Sequence, residues 1–332
     1  MGAGYHVAVV GATGAVGQEM LQVLLKRRFP VRELTVLASA RSKGKRMQYG
    51  EEAVEVQELK ADSFKGVEIA LFSAGGSRSR EFAPAAVRAG AVVVDNSSAF
   101  RMDPQVPLVV PEINPQAARQ HQGIIANPNC STIAMVVPLH PLHKAFRVKR
   151  VHAATYQAAS GAGAAAMEEL VEGTRAQLEG RPFEPKVMPY SYAFNLFPHN
   201  SALDEDGYCE EETKMLHETH KIFGESTIRV NATCVRVPVL RAHSEALNIE
   251  FAQDVSPEQA YQVLREAPGV EVFEDRAHNR WATPLDASGA DPVLVGRIRR
   301  DKSQPNTLDL WLVSDQLLKG AALNAVQIAE LL

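Results

Sequence analysis

The sequence predicts an α/β fold in two parts: a doubly wound parallel sheet, followed by a second domain of mixed strands and helices. Short apolar runs alternate with helical patterns from residue 6 to about residue 95, which is typical of βαβ units. After residue 130 longer extended stretches replace that alternation. A chain of 332 residues is also long enough for two domains.

The N-terminal part begins with a strand, a glycine-rich turn and a helix. Residues 6–10 are an apolar run typical of a buried parallel strand. Residues 11–17 read GATGAVG, and residues 18–26 carry apolar side chains at helical spacing. The remaining elements predicted here are strands at 34–38, 68–72 and 91–95 and a helix at about 80–88.

The second part is predicted to begin near residue 128, where Asn-Pro-Asn interrupts the pattern. Ser160, Gly161 and the two residues that follow break a long extended stretch at 148–158. Pro257 marks a helix start, because proline suits the first helical position. The other elements predicted are strands at 227–237, 247–251 and 308–313, a helix at 164–178 and an amphipathic helix at 316–332.

Composition narrows the class of function. The formal net charge is -4 and 45% of the residues are hydrophobic, as in a soluble globular protein. We therefore expect no nucleic-acid partner and no membrane partner. We also expect no bilayer-spanning segment and no signal peptide. Because Cys130, Cys209 and Cys234 form no CxxC pair, they favour a reducing, cytoplasmic compartment.

The glycine turn indicates a dinucleotide site. Gly11, Gly14 and Gly17 lie between a strand and a helix, where backbone amides bind pyrophosphate and glycine allows close approach. The spacing is GxxGxxG, not the commoner GxGxxG, so a plain tight turn is the alternative. No acidic residue follows the second strand; Arg41 and Ser42 stand there and favour the 2′-phosphate of NADP over NAD. A solvated basic loop is the competing interpretation.

Cys130 is the candidate nucleophile. It follows Asn-Pro-Asn and precedes an apolar helical pattern, and the N-terminus of a helix lowers the pKa of a thiol. Backbone amides there, with Asn129, would stabilise an oxyanion. Free cysteines are more often small buried core residues. From these residues alone both interpretations stay open.

A thiol nucleophile needs a base, and His243 is the candidate. It follows a strand and a proline turn, so we expect it in a loop at a strand end. Arg236 on that strand is suited to clamp a carboxylate. Histidines also recur at i, i+3 in two pairs, but the chain has no HExxH motif and its cysteines are badly spaced for zinc, so we expect no metal. Those pairs are His140 with His143 and His217 with His220.

Nine motifs spread over nearly the whole chain resemble one family. In order they read VAVVGATGAVG, SAGG, VVVDNSSAFRMD, VPLVVPEIN, ANPNCSTI, TYQAASGAG, EEETKM, RVPVLRAHSEA and SDQLLKGAALNAVQIAE. Together they resemble the aspartate-β-semialdehyde dehydrogenases. The resemblance implies a Rossmann-like NADP-binding domain at 1–128, completed by a helix at 315–332. It also implies an α+β catalytic and dimerisation domain at 129–314, of the glyceraldehyde-3-phosphate-dehydrogenase-like type, in a homodimer or homotetramer.

The resemblance also implies a reaction. β-Aspartyl phosphate is reduced by NADPH to aspartate semialdehyde and phosphate, on the route to lysine or diaminopimelate, threonine and methionine. Cys130 matches the family nucleophile, which carries a thioester, and His243 matches the acid/base. Asn129 stands beside the nucleophile in the matching motif.

Substrate and cofactor residues follow from the same resemblance. Arg236 matches the clamp on the substrate carboxylate and Glu211 the partner of its ammonium, while Gln157 matches a glutamine beside the thioester. Arg101 and Lys214 match the phosphate-binding pair; a loop salt bridge and a routine i, i+3 helix pair are the alternatives. The cofactor residues that the resemblance implies are Gly11, Thr13, Gly14, Ala15, Val16, Arg41, Ser42, Ser73, Asn96, Ser160, Gly161 and Gln316.

Two other functions compete. An N-acetyl-γ-glutamyl-phosphate reductase would share the glycine turn and the Cys/His pair, but its neutral acetyl group would not need Glu211. A catalytically silent NADP-binding relative should lose the nucleophile, the base or the carboxylate clamp. This chain keeps Cys130, His243 and Arg236 together, which disfavours that alternative.

Overall fold

The computed structural model describes residues 4–332, so the first three residues of the predicted N-terminal domain lie outside it. The chain forms two compact units. The first runs to Asn129 and includes Ala321–Leu332, and the second is Cys130–Gly320. Within residues 4–332, no helix has both the length and the apolar character needed to cross a membrane.

Both units mix strands and helices. The strands are β1 (Tyr5–Val10), β2 (Val31–Ala38), β3 (Arg46–Tyr49), β4 (Glu52–Glu58), β5 (Ile69–Phe72), β6 (Val92–Asp95), β7 (Ile124–Ala126), β8 (Val148–Gln157), β9 (Phe197–Pro198), β10 (Arg229–Arg236), β11 (His243–Phe251), β12 (Val270–Val272), β13 (Glu274–Asp275), β14 (Arg280–Trp281), β15 (Val293–Arg300) and β16 (Thr307–Ser314). The helices are α1 (Ala15–Lys26), α2 (Gly76–Arg88), α3 (Cys130–Phe146), α4 (Ala164–Leu178), α5 (Glu210–Phe223), α6 (Pro257–Arg265), α7 (Pro284–Ala287) and α8 (Leu323–Ala329).

The first unit is built on a seven-stranded sheet in the order β3-β4-β2-β1-β5-β6-β7. Every pairing is parallel except that of β3 with β4. The doubly wound parallel sheet expected from the sequence is thus confirmed. Its central strands β1 and β5 are buried almost throughout, as parallel strands covered on both faces must be. α8 packs against α1 in this unit.

Three elements of the first unit differ from the sequence prediction. The hairpin β3–β4 was missed because most of its side chains are exposed and polar, so it lacks an apolar run. β7 was missed because it has only 3 residues. The prediction of one amphipathic helix at 316–332 was wrong. A π-helical turn at Leu318–Ala322 precedes the short helix α8. Nearly all side chains from 312 to 329, including the polar ones, are buried. The segment therefore lacks the exposed polar face of an amphipathic helix.

The second unit has a mixed seven-stranded sheet in the order β12-β15-β16-β11-β8-β10-β9. Helices α3, α5 and α6 pack on it. Its strands have two different faces. Along β8, Ala153, Thr155 and Gln157 are buried, whereas Tyr156 points to the opposite face and is 39% exposed. One face therefore belongs to the core and the other is open in this chain.

Candidate active site

The glycine turn has the geometry of a phosphate-binding loop. Gly11 has φ +84°, and a Cβ there would overlap the carbonyl oxygen of Ser73. A Cβ on Gly17 would overlap the carbonyl oxygen of Gly11, so glycine permits the close packing of helix on strand. α1 begins directly after Gly14, and within the described chain no side chain caps its first turn. Its N-terminal amides, at Ala15 and Val16, are suited to an anionic phosphate.

The other candidate cofactor residues of the first unit lie near the carboxyl ends of the parallel strands, where ligands bind in such sheets. The Thr13 and Ser42 hydroxyl oxygens lie 3.5 Å apart, next to the exposed side chain of Arg41. Ser73 follows β5, and its amide donates to the carbonyl oxygen of Val10. Asn96 follows β6, and its Oδ1 accepts a 2.8 Å hydrogen bond from Nδ2 of Asn127.

Arg101 is buried in the first unit. Its Nε donates to the carbonyl oxygen of Asn127 at 2.9 Å, and its Nη2 donates to that of Asn96 at 3.0 Å. These bonds fix the guanidinium against the chain that follows β6 and β7. Asn129 ends this unit and is also buried.

Cys130 is the first residue of α3, so the expected place at a helix N-terminus is confirmed. Its side chain is partly exposed, while Cys209 and Cys234 are buried. Burial raises the pKa of both of those thiols, which makes them poor nucleophiles. Gly320 approaches Cys130 closely: a Cβ on Gly320 would lie 2.8 Å from the Cβ of Cys130. That contact has no local signal in the sequence, because 190 residues separate the two positions.

His243 is the first residue of β11, not part of a loop as expected. The prediction was wrong because His243 pairs with Ser314 on β16, so that β11 already begins at His243. The imidazole is buried, and its Nδ1 accepts a 3.0 Å hydrogen bond from the amide of Ala158. An amide can only donate, so the ring hydrogen is on Nε2. Nε2 has no hydrogen-bond partner among residues 4–332.

Burial lowers the pKa of His243 to about 3, and the positive charge of Arg236 adds to the effect. The neutral ring therefore presents an N–H at physiological pH. Gly161 leaves room beside it: a Cβ on Gly161 would lie 2.9 Å from Nε2 and 3.3 Å from Nη1 of Arg236.

Arg236 ends β10 and is buried. Its Nη2 donates to Nε2 of His199 at 2.8 Å, and its Nη1 donates to the carbonyl oxygen of Ala158 at 3.5 Å. In the part of the chain that the structure describes, Nε is without a partner. An unsatisfied N–H on a buried guanidinium is suited to an incoming carboxylate.

Gln157 and Glu211 are in direct contact. Gln157 ends β8, opposite Arg236 on β10, and its Nε2 donates to Oε1 of Glu211 at 3.1 Å. Glu211 lies in the first turn of α5, and Nζ of Lys214 lies 3.8 Å from its Oε2. The i, i+3 contact considered as an alternative is thus present, but the Glu211 side chain is only 8% exposed, so the pair is not a solvated surface pair.

Ser160 and Gln316 join two loops of the second unit. Gln316 donates from Nε2 to Oγ of Ser160 and accepts a 2.9 Å hydrogen bond from the amide of Ala242, the residue before His243. Gln316 was expected to begin the last helix; it lies instead in the turn before the π-helical residues. Its role in the second unit is to tie the 3₁₀ turn at Ala159–Ala162 to the start of β11.

Three of the four paired histidines have other contacts. His143 contacts Glu225 at 3.1 Å, the ring of His140 packs against Phe223, and Nε2 of His220 lies 2.7 Å from the carbonyl oxygen of Ile228. Over residues 4–332, His, Cys, Asp and Glu side chains form no cluster of three or more that could hold a metal ion.

The first unit has a parallel sheet with a glycine turn of the phosphate-binding type, and the second has a thiol at a helix N-terminus and a buried imidazole N–H. These are features typical of a dehydrogenase with a thiol nucleophile. The family model described as "Semialdehyde dehydrogenase, NAD binding domain" matches residues 6–121, and "Semialdehyde dehydrogenase, dimerisation domain" matches residues 139–319. Aspartate-semialdehyde dehydrogenase of Synechocystis sp. is 58% identical over 98% of this chain and 97% of the relative. The chain belongs to the aspartate-semialdehyde dehydrogenase family.

Solved structures agree with this family. The structure of aspartate semialdehyde dehydrogenase II from Vibrio cholerae complexed with ASA has a TM-score of 0.96 and 46% identity, over 99% of this chain and 98% of that one. Aspartate semialdehyde dehydrogenase with NADP from Candida albicans has a TM-score of 0.76 and 26% identity, over 99% and 98%. The expected fold class, a Rossmann-like domain with a second α+β domain, is confirmed.

Proposed function

We infer that this chain catalyses the NADPH-dependent reduction of β-aspartyl phosphate to aspartate semialdehyde and phosphate, a step of amino-acid biosynthesis. The observation that carries the inference is a set of four side chains of the second unit. It combines Cys130 at a helix N-terminus, the Nε2–H of His243, the available donor of Arg236 and the buried carboxylate of Glu211. This set provides a nucleophile together with binding groups for an amino acid.

Cys130 begins the reaction. Its thiolate attacks the acyl carbon of β-aspartyl phosphate, the C–S bond forms, and the C–O bond to phosphate breaks. The amides of the first turn of α3 and the side chain of Asn129 stabilise the negative charge that develops on the acyl oxygen. The product of this half-reaction is a thioester on Cys130.

His243 acts during reduction of the thioester. NADPH, when bound, supplies the hydride. As the carbonyl carbon becomes tetrahedral, charge grows on its oxygen, and the Nε2–H of His243 donates a hydrogen bond to that oxygen. Collapse of the thiohemiacetal then breaks the C–S bond and returns Cys130 as a thiolate. The hydrogen bond from Ala158 to Nδ1 supports this donor role, because it keeps the proton on Nε2.

Arg236 and Glu211 select the substrate. Nε of Arg236 binds the α-carboxylate, and Glu211 binds the α-ammonium group. The Glu211 carboxylate is buried and can pair with an ammonium group but not with a neutral acetylated nitrogen, so Glu211 favours an amino acid over a substrate whose nitrogen is acetylated. Arg101 and Lys214 bind the phosphate group, and Gln157 lies beside the thioester.

NADP(H) is the cofactor. The close-packed glycines, the amides at the start of α1 and the hydroxyl pair of Thr13 and Ser42 fit a dinucleotide with a 2′-phosphate. The exposed guanidinium of Arg41 is suited to bind that phosphate. In the second unit, Ser160 and Gly161 contact the nicotinamide half, and Gln316 holds their loop.

We propose a homodimer formed through the second unit; pairing of two dimers into a tetramer is the alternative that sedimentation would reveal. Tyr156 and its neighbours form an open sheet face. Large apolar side chains of the segment 178–208 are also exposed, among them Phe194 at 63% and Leu196 at 61%. Exposed apolar surface of this kind marks an interface. Sedimentation of the wild type and of the Tyr156→Glu/Phe194→Ser variant tests this; a monomeric wild type would exclude the dimer.

A cytoplasmic location is part of the same proposal. Cys209 and Cys234 are buried thiols outside any disulfide, which suits a reducing compartment. A reporter fusion followed by cell fractionation tests the assignment.

The activity test follows NADPH absorbance with purified protein, aspartate semialdehyde, NADP⁺ and phosphate. Phosphate-dependent NADPH formation is expected. Turnover of N-acetylglutamate semialdehyde in place of aspartate semialdehyde would assign the chain to the neighbouring reductases. Lack of turnover with both aldehydes would support the silent NADP-binding alternative.

A further inference from the structure

His199 contacts the proposed carboxylate clamp, although no motif in the sequence singled it out. It follows β9, whose two residues pair with the end of β10. The amide of His199 donates to the carbonyl oxygen of Cys234 at 2.8 Å, which fixes the backbone. Nε2 of His199 lies 2.8 Å from Nη2 of Arg236. A guanidinium only donates hydrogen bonds, so Nε2 is the acceptor and carries no hydrogen.

The tautomer of His199 follows from that contact. In the neutral ring the hydrogen must then be on Nδ1, which lies 3.0 Å from Oγ of Ser201. The Ser201 amide, 3.3 Å from Nδ1, could donate to it only in the opposite tautomer, which the shorter bond from the charged guanidinium to Nε2 disfavours. An amide N–H cannot accept, so Nδ1 donates to Oγ. Oγ of Ser201 in turn accepts a 3.3 Å hydrogen bond from the amide of Glu211. A continuous path therefore runs from Arg236 through His199 and Ser201 to the start of α5.

The charge state of His199 is compatible with this path. Burial lowers the pKa of His199 to about 4; Arg236 and Lys214 lower it as well, while Glu211 and Glu212 oppose them. At neutral pH the ring is uncharged and remains an acceptor for the guanidinium. Both ring nitrogens are engaged, so His199 is not placed to exchange a proton with substrate.

We propose that His199 is a positioning residue that orients Arg236, the proposed carboxylate clamp, and is itself held through Ser201 at the start of α5. It thereby favours substrates that carry a carboxylate. The proposal rests on the proposed function of Arg236 and Glu211. Without His199, the guanidinium would keep only its weak 3.5 Å bond to the carbonyl oxygen of Ala158 among the contacts described above, and its orientation would no longer be fixed.

Two variants at one position test the proposal. His199→Phe keeps an aromatic ring but removes the acceptor. His199→Gln is the matched control, because its amide oxygen reaches the position of Nε2 and accepts from Arg236. Thermal melts of both variants establish that they fold; His199 is partly exposed and lies outside helices and strands, so we expect melting temperatures close to that of the wild type.

Three aldehydes separate the possible roles. Aspartate semialdehyde has both charged groups, 4-oxobutanoate lacks the ammonium group, and 3-aminopropanal lacks the carboxylate. For His199→Phe we expect KM to rise about tenfold or more with the first two aldehydes, which is the typical effect of losing a hydrogen bond to a charged group. With 3-aminopropanal we expect no change in KM, or in its inhibition constant where turnover is too slow. kcat and the KM values of NADP⁺ and phosphate should change little, and His199→Gln should recover most of the loss.

The outcomes distinguish a failure of the proposed function from a failure of the role proposed for His199. If the wild type fails to oxidise aspartate semialdehyde, the proposed function fails before His199 is tested. If the wild type is active but His199→Phe has an unchanged KM, His199 does not position Arg236. An equal rise in KM with 3-aminopropanal would show a general distortion of the site and would also overturn the proposal.

Discussion

Gly161→Ala tests whether the site needs the space that Gly161 leaves beside His243. The new methyl carbon would lie 2.9 Å from Nε2 and 3.0 Å from Cε1 of the imidazole, and 3.3 Å from Nη1 of Arg236. Ordinary contacts at these positions are longer than about 3.4 Å. The imidazole is buried and held at Nδ1 by the amide of Ala158, so it cannot move freely. We expect a displacement of about half an ångström or more, and a misplacement near 1 Å lowers turnover by about 100-fold.

The assay for Gly161→Ala is steady-state kinetics in the phosphate-dependent direction. We expect kcat to fall by about 10- to 100-fold, in proportion to the displacement, with a small change in melting temperature. Gly76→Ala is the matched control: a Cβ there would lie 3.5 Å from the flexible end of Arg80, and its kcat should equal that of the wild type. A kcat for Gly161→Ala within about twofold of the wild type would refute the reasoning.

Three further predictions concern other residues of the second unit. Cys130→Ser should nearly abolish turnover and leave NADPH binding, measured by fluorescence, unchanged; lost binding would instead indicate a structural thiol. Arg236→Leu should raise the KM of aspartate semialdehyde by about 10- to 100-fold, since the bound carboxylate loses a charge-assisted partner; an unchanged KM would remove Arg236 from the site. Glu245→Gln should unfold at higher denaturant concentration than the wild type at neutral pH. Burial and the charge of Glu211 raise the pKa of Glu245 well above 4.5, so above pH 4.5 the native state keeps a proton that the unfolded state releases, and the free energy of unfolding falls as pH rises. A Glu245→Gln variant less stable than the wild type across neutral pH would contradict this assignment.

The place of Cys130 could be predicted from the sequence because local signals determine it. A proline two residues earlier and an apolar run afterwards mark the start of a helix, and α3 begins there. The helix at Ala164–Leu178 was predicted with the same bounds for a similar reason, since glycine precedes it and apolar periodicity fills it. Elements whose signal lies within some fifteen residues are accessible to sequence analysis.

The positions that sequence analysis did not predict depend on how distant strands pair. His243 was expected in a loop. It is the first residue of β11 because it pairs with Ser314 on β16. His199 lies in a segment with no periodicity, beside a strand of 2 residues, and only the pairing of that strand with β10 brings it to Arg236. Such contacts join distant parts of the chain, and one sequence does not encode them locally.

The same register explains why the site forms where it does. β8 and β10 are parallel and end together at Gln157 and Arg236, while the antiparallel β11 begins beside them at His243. Buried polar atoms without partners among the described residues collect on β10, β11 and β16, at Arg236, His243, Glu245 and Ser314. Each costs about 1–3 kcal/mol when left unsatisfied, and a fold carries such costs together chiefly where a ligand relieves them. Under the proposed function, the substrate carboxylate satisfies Arg236 and the reacting oxygen satisfies His243. We therefore expect substrate binding to stabilise this end of the sheet more than the rest of the second unit.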